Sequence, residues 1–240
     1  MTRDIDNLII AITERCNMNC AHCMRGDGKN RDVTREIIDL TLKDVNYIGS
    51  ITLTGGEPTL NIDAIEYVLD KCKELDIPVG SFYIVTNGKI VTERFLIACL
   101  KWHAYCIKHS AEPEYSGVAL SQDKFHEPIP EENIQLLQTL ACYRGEDKRT
   151  DFDKIQPLGI GRGANIPNHQ KTYWRTQPDA FVSDFDDNHC NIEMMSVTVD
   201  GIILSDCNYA YDDIDAITVG TVFNPNWLEE HIAEYCNGED

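Results

Sequence analysis

The sequence predicts an α/β protein in which parallel strands are joined by helical crossovers and followed by a small β-rich C-terminal piece. Three observations point there. Short apolar runs alternate with amphipathic helical stretches over the first three quarters of the 240 residues, the pattern of repeated βαβ units. The unusual residues fall in loops just after the apolar runs, where parallel α/β folds carry their functional groups. The last quarter changes character and reads as a hairpin, with Asp200-Gly201 between two apolar runs.

The first strand is LIIAI at residues 8–12, which runs straight into a loop holding Cys16, Cys20 and Cys23. A helix over about 34–47 places Ile37, Ile38, Thr41, Leu42 and Val45 on one side. SITLT at 50–54 is the second strand, ended by Gly55-Gly56, and its helix carries Ile62, Ile65, Leu69, Cys72 and Leu75 at helical spacing. SFYIVT at 81–86 is the third, closed by Asn87-Gly88. The helix from about Val91 buries Phe95, Leu96, Cys99 and Leu100. GVALS at 117–121 is the fourth strand, with a helix over about 131–143, and KIQPL at 154–158 is the fifth, ending in GIGRG.

Beyond it, MMSVTVDGIILSD reads as a hairpin whose Asp200-Gly201 suits a two-residue turn with positive backbone angles. A strand over 216–223 follows, and Asn224-Pro225 caps a final helix, with Asn as N-cap and Pro in the first helical position. The expected division is a core over 1–190 and a C-terminal hairpin-and-helix extension over 191–240.

Forty acidic residues against 21 basic ones give a net charge of −19. Such a surface repels phosphate backbones and anionic membranes, so neither nucleic acid nor membrane is expected as a partner. The clean apolar run near the start is five residues, too short for a signal-peptide core or a membrane span. The expected location is therefore cytoplasmic. Ten cysteines in a cytoplasmic chain point to metal or redox chemistry rather than a disulfide framework.

Cys16, Cys20 and Cys23 form a claw of three soft thiolates in eight residues. Such ligands suit zinc or an iron–sulfur cluster. A structural zinc site would need His22 or a remote cysteine as fourth ligand. A four-iron cluster held by three cysteines keeps one iron open for a substrate or cofactor, the mark of a reactive centre rather than a scaffold. Gly55-Gly56-Glu57-Pro58 at the next strand end favours the second reading, because structural zinc knuckles call for no such segment. Cys72, Cys99, Cys106 and Cys142 read as small core residues. His103, His109, His126, His169, His189 and His231 show no i, i+4 metal pairing and read as surface or hydrogen-bonded histidines.

Cys16-x3-Cys20-x2-Cys23, with His22 before the third cysteine, resembles the signature of the radical S-adenosylmethionine (SAM) superfamily, and GGEP resembles that family's second motif. TNG at 86–88 and SQDKFH at 121–126 sit where the family often carries similar loops, so the resemblance extends over about 8–163 in order and spacing. It implies a partial (β/α)6 TIM-like barrel, a 4Fe-4S cluster on Cys16, Cys20 and Cys23, and SAM chelating the free iron. One-electron reduction by a donor such as flavodoxin or ferredoxin would yield a 5′-deoxyadenosyl radical that abstracts a substrate hydrogen. By the same resemblance Gly55, Gly56 and Glu57 meet the methionyl amine, Asn87 belongs to the cofactor site, and His22 lies near the adenine. Ser121 and Asp123 contact ribose or carboxylate, and Arg162 offers its fork to the carboxylate.

The stretch between Cys190 and Cys207 resembles the start of the SPASM or twitch extensions of peptide-modifying radical enzymes, but only Cys236 follows it. Either Cys190, Cys207 and Cys236 hold a second cluster, or the hairpin is a cluster-free remnant that completes the barrel. The usual four protein ligands of iron–sulfur clusters favour the remnant. The expected function is radical chemistry on a peptide side chain or small molecule. Two alternatives stand beside it: an activase for a glycyl-radical enzyme, against which SQDKFH lacks the Asp-x-Lys pattern, and a non-catalytic metal-binding interaction module.

Overall fold

The computed structural model describes residues 1–110, 115–146, 156–171, 176–186 and 188–235. Its centre is one mixed sheet of nine strands in the order β5-β4-β3-β2-β1-β7-β8-β9, with β6 paired to β7. Strand β1 (Thr2–Thr13) lies between β2 (Val45–Gly55) and β7 (His189–Val197), parallel to both. Its second half is continuously buried from Leu8 to Thr13. That is why the sequence shows an unbroken apolar run there, as expected of a strand covered on both faces. The polar first half was invisible as strand because Arg3 and Ile5 are buried while their neighbours are not.

Strands β3 (Val79–Thr86), β4 (Gly117–Leu120) and β5 (Tyr143–Glu146) add in parallel on the far side of β2. The crossovers are α1 (Arg35–Leu42), α2 (Ile62–Glu74), α3 (Glu93–His109) and α4 (Glu131–Gln138). Thr34, Asn61 and Thr92 cap the first three, each side chain accepting a backbone N–H from the first turn. On α3 the buried stripe is Phe95, Ala98, Cys99, Trp102, Tyr105 and Cys106. Trp102 stacks on Phe82 and donates its indole N–H to the Ile65 carbonyl at 3.0 Å, tying α3 to both β3 and α2. Cys72, Cys99, Cys106 and Cys142 are buried core residues. Leu75 and Leu100 are exposed instead.

Three expectations are corrected. The first helix ends at Leu42, because Asp44 takes a left-handed φ of 59° and Val45 begins β2 opposite Arg3. The helix expected to reach residue 143 stops at Gln138, and Tyr143 opens the fifth strand. Of the strand expected over 154–158, residues 154 and 155 lie outside the described residues, and Leu158 makes only an isolated bridge to Gln170. The hairpin turn also differs. Only Gly201 has positive φ (78°), Gly201 N–H bonds to the Thr198 carbonyl, and Thr198 N–H bonds to Ile202, giving a three-residue loop with a bulge.

The C-terminal hairpin joins β7 to β8 (Ile202–Leu204), with β9 (Thr218–Thr221) beyond, all antiparallel. β6 (Val182–Phe185) pairs antiparallel with β7 on its lower half. The hairpin therefore extends the sheet from the β1 side, with β7 parallel to β1. Residue 190 falls inside β7. The Asn224 side chain accepts the Asn226 N–H at 3.0 Å ahead of α5 (Trp227–Tyr235), the expected cap. Among the described residues, no helix is long and apolar enough to cross a membrane.

Candidate functional site

The carboxyl ends of β1 to β4 converge on one cavity of about 240 Å3. Cys16, Cys20 and Cys23 line it together with His22, Gly56, Glu57, Asn87, Ser121 and His126. Residues separated by more than 100 positions in sequence are thus assembled by the parallel register of the sheet.

The cysteine loop is shaped by its anchors. Glu14 N–H bonds to Arg31 O at 2.9 Å and Lys29 N–H to Glu14 O at 3.1 Å, so the loop returns to its starting point. Arg31 forks both carboxylate oxygens of buried Glu14 at 2.7 Å each. Gly55 has a φ of 152°, and a Cβ on it would collide with the Thr13 carbonyl; one on Gly56 would collide with that of Arg15. The two glycines therefore let the β2 end press against the base of the loop, sealed by Gly56 N–H to Thr13 O and Glu57 N–H to Arg15 O at 2.8 Å each.

Glu57 is 1% exposed. One carboxylate oxygen accepts from the Thr59 N–H (3.1 Å), the Thr59 hydroxyl (2.8 Å) and the Thr86 hydroxyl (2.7 Å), and the other from the Asn87 N–H (2.8 Å). Burial pushes its carboxyl up, against the four hydrogen bonds pulling it down. Glu57 is thus a latch between the β2 and β3 ends as well as part of the cavity wall. Asn87 extends that latch, donating to Asn17 Oδ1 at 2.8 Å and reaching Cys16 Sγ at 4.0 Å.

Arg162, which the resemblance offers to the SAM carboxylate, is tied to the cysteine loop in the structure. Its backbone N–H bonds to Cys23 O at 2.9 Å and its Nε to Cys20 O at 3.0 Å, while Nη1 meets Asn19 and Asp27. The guanidinium clamps the cysteine loop from the GIGRG turn. The segment can approach so closely because Gly161, at a φ of 53°, packs against the Met24 carbonyl, where a Cβ would clash.

Ser121, Asp123, His126 and His22 form a chain of polar contacts on the opposite wall. Ser121 Oγ lies 3.2 Å from His126 Nε2, and His126 Nδ1 lies 2.8 Å from Asp123 Oδ1. His22 Nε2 lies 3.4 Å from Asp123 Oδ2, with its ring between those of Phe125 and His126. Asp123 thus faces two imidazoles instead of the open cavity, whereas Ser121 and His126 line it. The ligand atoms of His22, Asp123 and His126 lie within 4.8 Å of one another, a spacing that a divalent cation could use. Sequence spacing hid this group because His22 and His126 are brought together only across β1 and β4.

Burial pushes the Asp123 carboxyl up, but the His126 hydrogen bond, the Phe125 N–H and the two imidazoles outweigh it and hold it at about 2. A carboxylate depressed in the fold stabilises it above the unfolded value near 4, and that contribution fades as pH falls towards 2. The stability difference between wild type and Asp123→Asn should therefore be roughly 2 kcal/mol above pH 5 and shrink as pH drops through 4. Urea denaturation across that pH range checks it.

The claw fits a cationic, sulfur-rich group. Burial, and after it the neighbouring thiols, push Cys20 up to about 11, and partial desolvation of its thiol raises Cys16, although that residue as a whole is exposed. Three thiols so close together lose their protons together only against bound positive charge. Beside them, the Asn17 side-chain amide and the Tyr211 hydroxyl are shielded from solvent and have no acceptor among the described residues. Both are donors, as an electron-rich cluster requires.

Cys190 and Cys207 are not brought together. Cys190 is fully buried opposite Arg3, at the amino end of β1, whereas Cys207 lies beside Arg25 in the region of the cysteine loop, beyond the other end. About ten residues of strand, on the order of 30 Å, separate those ends. The alternative of a second cluster on Cys190, Cys207 and Cys236 is therefore not supported for the first two of these cysteines. Cys236 lies outside the described residues.

Residues 10–103 match the Radical SAM superfamily. An uncharacterised protein of Methanocaldococcus jannaschii is 33% identical over 99 residues, 39% of this chain and 34% of that protein. Glutamate 2,3-aminomutase of Clostridioides difficile is 30% identical over 121 residues, 45% of this chain and 28% of the enzyme. The chain thus spans about a third of these relatives' length. Streptococcus suis SuiB bound to precursor peptide SuiA superposes over 97% of this chain and 65% of its own, with a TM-score of 0.58 and 15% identity, a likeness of fold.

Proposed function

We propose that this chain, whose residues 10–103 match the Radical SAM superfamily, is a radical SAM enzyme and that its substrate is a peptide side chain. The observation that carries the reading is the convergence of Cys16, Cys20 and Cys23 with Gly56, Glu57 and Asn87 on one cavity at the strand ends. When bound, a 4Fe-4S cluster and SAM supply reductive cleavage of SAM to methionine and a 5′-deoxyadenosyl radical.

The chain's own residues prepare the site for that chemistry. Arg162 and the GIGRG turn hold the backbone of Cys20 and Cys23, and so would keep the three thiols in place to hold the cluster. Glu57 and Asn87 fix the wall nearest Cys16, which would receive the methionyl end of SAM. Ser121 and His126 present a hydroxyl and an imidazole to the cavity from the other side, and Asp123 sets the orientation of His126. An external reductant such as flavodoxin or ferredoxin delivers the electron. A peptide substrate is supported by the likeness of fold to SuiB, whose structure holds a precursor peptide, over nearly the whole of this chain.

The test is anaerobic incubation of the iron-loaded protein with SAM and dithionite, with 5′-deoxyadenosine measured by chromatography. SAM cleavage, increased several-fold by short candidate peptides, is the expected result. No cleavage with a full complement of iron would remove the enzyme reading. Stimulation by amino acids or nucleotides but not by peptides would move the substrate to the small-molecule class.

A further inference from the structure

The segment after β8 folds back over the cysteine loop, an arrangement that neither motif announces. Arg25 donates Nη1 to the Tyr209 carbonyl at 3.0 Å and lies 3.7 Å above the Tyr209 ring. Tyr211 N–H returns to the Arg25 carbonyl at 3.1 Å. Lys29 pairs with Asp212 at 2.6 Å and sits 5.6 Å over the Tyr211 ring. Tyr209 is almost wholly buried by this clasp, so the position of Tyr211 is set by a packed anchor two residues before it.

Tyr211 shares a small cavity of about 40 Å3 with Cys16, Cys20 and Cys23. Its hydroxyl is shielded from solvent and has no hydrogen-bond partner among the described residues. A buried, unanswered hydroxyl is destabilising, so a chain that keeps one at a site lined by three thiols calls for an explanation. Burial raises the phenol, with the Cys23 thiol among the smaller contributors in the same direction, so the group remains a protonated donor.

We propose that the Tyr211 hydroxyl donates a hydrogen bond to sulfur of the cluster held by Cys16, Cys20 and Cys23, and so eases reduction of that cluster. Tyr211 is then a positioning and tuning residue of the C-terminal segment. A donor aimed at sulfur stabilises the more negative, reduced cluster, which moves its potential upwards. This rests on the cluster reading given under Proposed function.

The experiment is Tyr211→Phe, which keeps the ring and removes only the hydroxyl. Without iron, the variant should be at least as stable as wild type in urea, because an unpaired buried hydroxyl is gone. After anaerobic reconstitution, both proteins are titrated with reductant and the reduced cluster is followed by electron paramagnetic resonance. The expected result is equal iron content and a more negative midpoint in the variant. An unchanged midpoint at equal iron content would overturn the inference while leaving the cluster reading intact. A folded variant that takes up less than half the iron assigns the hydroxyl to assembly and also overturns it. If wild type itself binds no iron, the cluster reading fails, and the inference with it.

Discussion

Alanine at Cys16, Cys20 and Cys23 together is expected to abolish iron uptake, whereas wild type should bind about four irons and four sulfides per chain. The three thiols share one cavity, and with the thiolates gone nothing in the site offers soft ligands of the same number. The fold should persist without them, because Cys16 is exposed and Cys20 and Cys23 are only half-buried. Circular dichroism should therefore change little while the iron count falls to zero and SAM cleavage disappears. About eight irons in wild type, with about four remaining in the variant, would instead place a second cluster elsewhere in the chain. Zinc in place of iron would end the radical reading.

Glu57→Ala should be among the most destabilising single substitutions in the site, at roughly 3–5 kcal/mol. It removes the shared acceptor of the Thr59 N–H, the Thr59 and Thr86 hydroxyls and the Asn87 N–H, all from buried groups. Water cannot easily replace the carboxylate, because Glu57 is nearly inaccessible. Glu57→Gln should cost less, since one oxygen can still serve the two threonines, although its amide would oppose the Asn87 N–H. Urea denaturation of the iron-free, reduced protein measures both. The loss should appear as lower stability even without a cofactor, because the latch between the β2 and β3 ends acts in the protein alone. A small effect for Glu57→Ala would mean that Glu57 serves the cofactor and not the fold.

The clearest sequence signals were local. The apolar run at residues 8–12 marks the half of β1 that is covered on both faces. Boundaries were misplaced where a pattern continues past a backbone break. Val45 extends the apolar spacing of α1, yet Asp44 turns the chain and Val45 pairs with Arg3 in the sheet. Tyr143 likewise continues the helical pattern of α4 but starts β5.

The sequence alone determined the alternation of strands and helices and the ligand claw, because three- and four-residue spacings and the three-cysteine pattern are properties of neighbouring residues. It also placed the functional loops after the strands, since each loop directly follows its own apolar run. Only the tertiary structure decided that the hairpin lies beside β1, that Arg162 clamps the cysteine loop, and that Tyr211 covers the claw. Those outcomes join residues separated by 186 positions in the Asn7–Glu193 contact, 142 in Arg162–Cys20 and 184 in Arg25–Tyr209. Contacts so distant leave no local period to read. They are chosen by competition among whole arrangements of the chain, in which burial of the β1 edge and satisfaction of buried backbone groups count together.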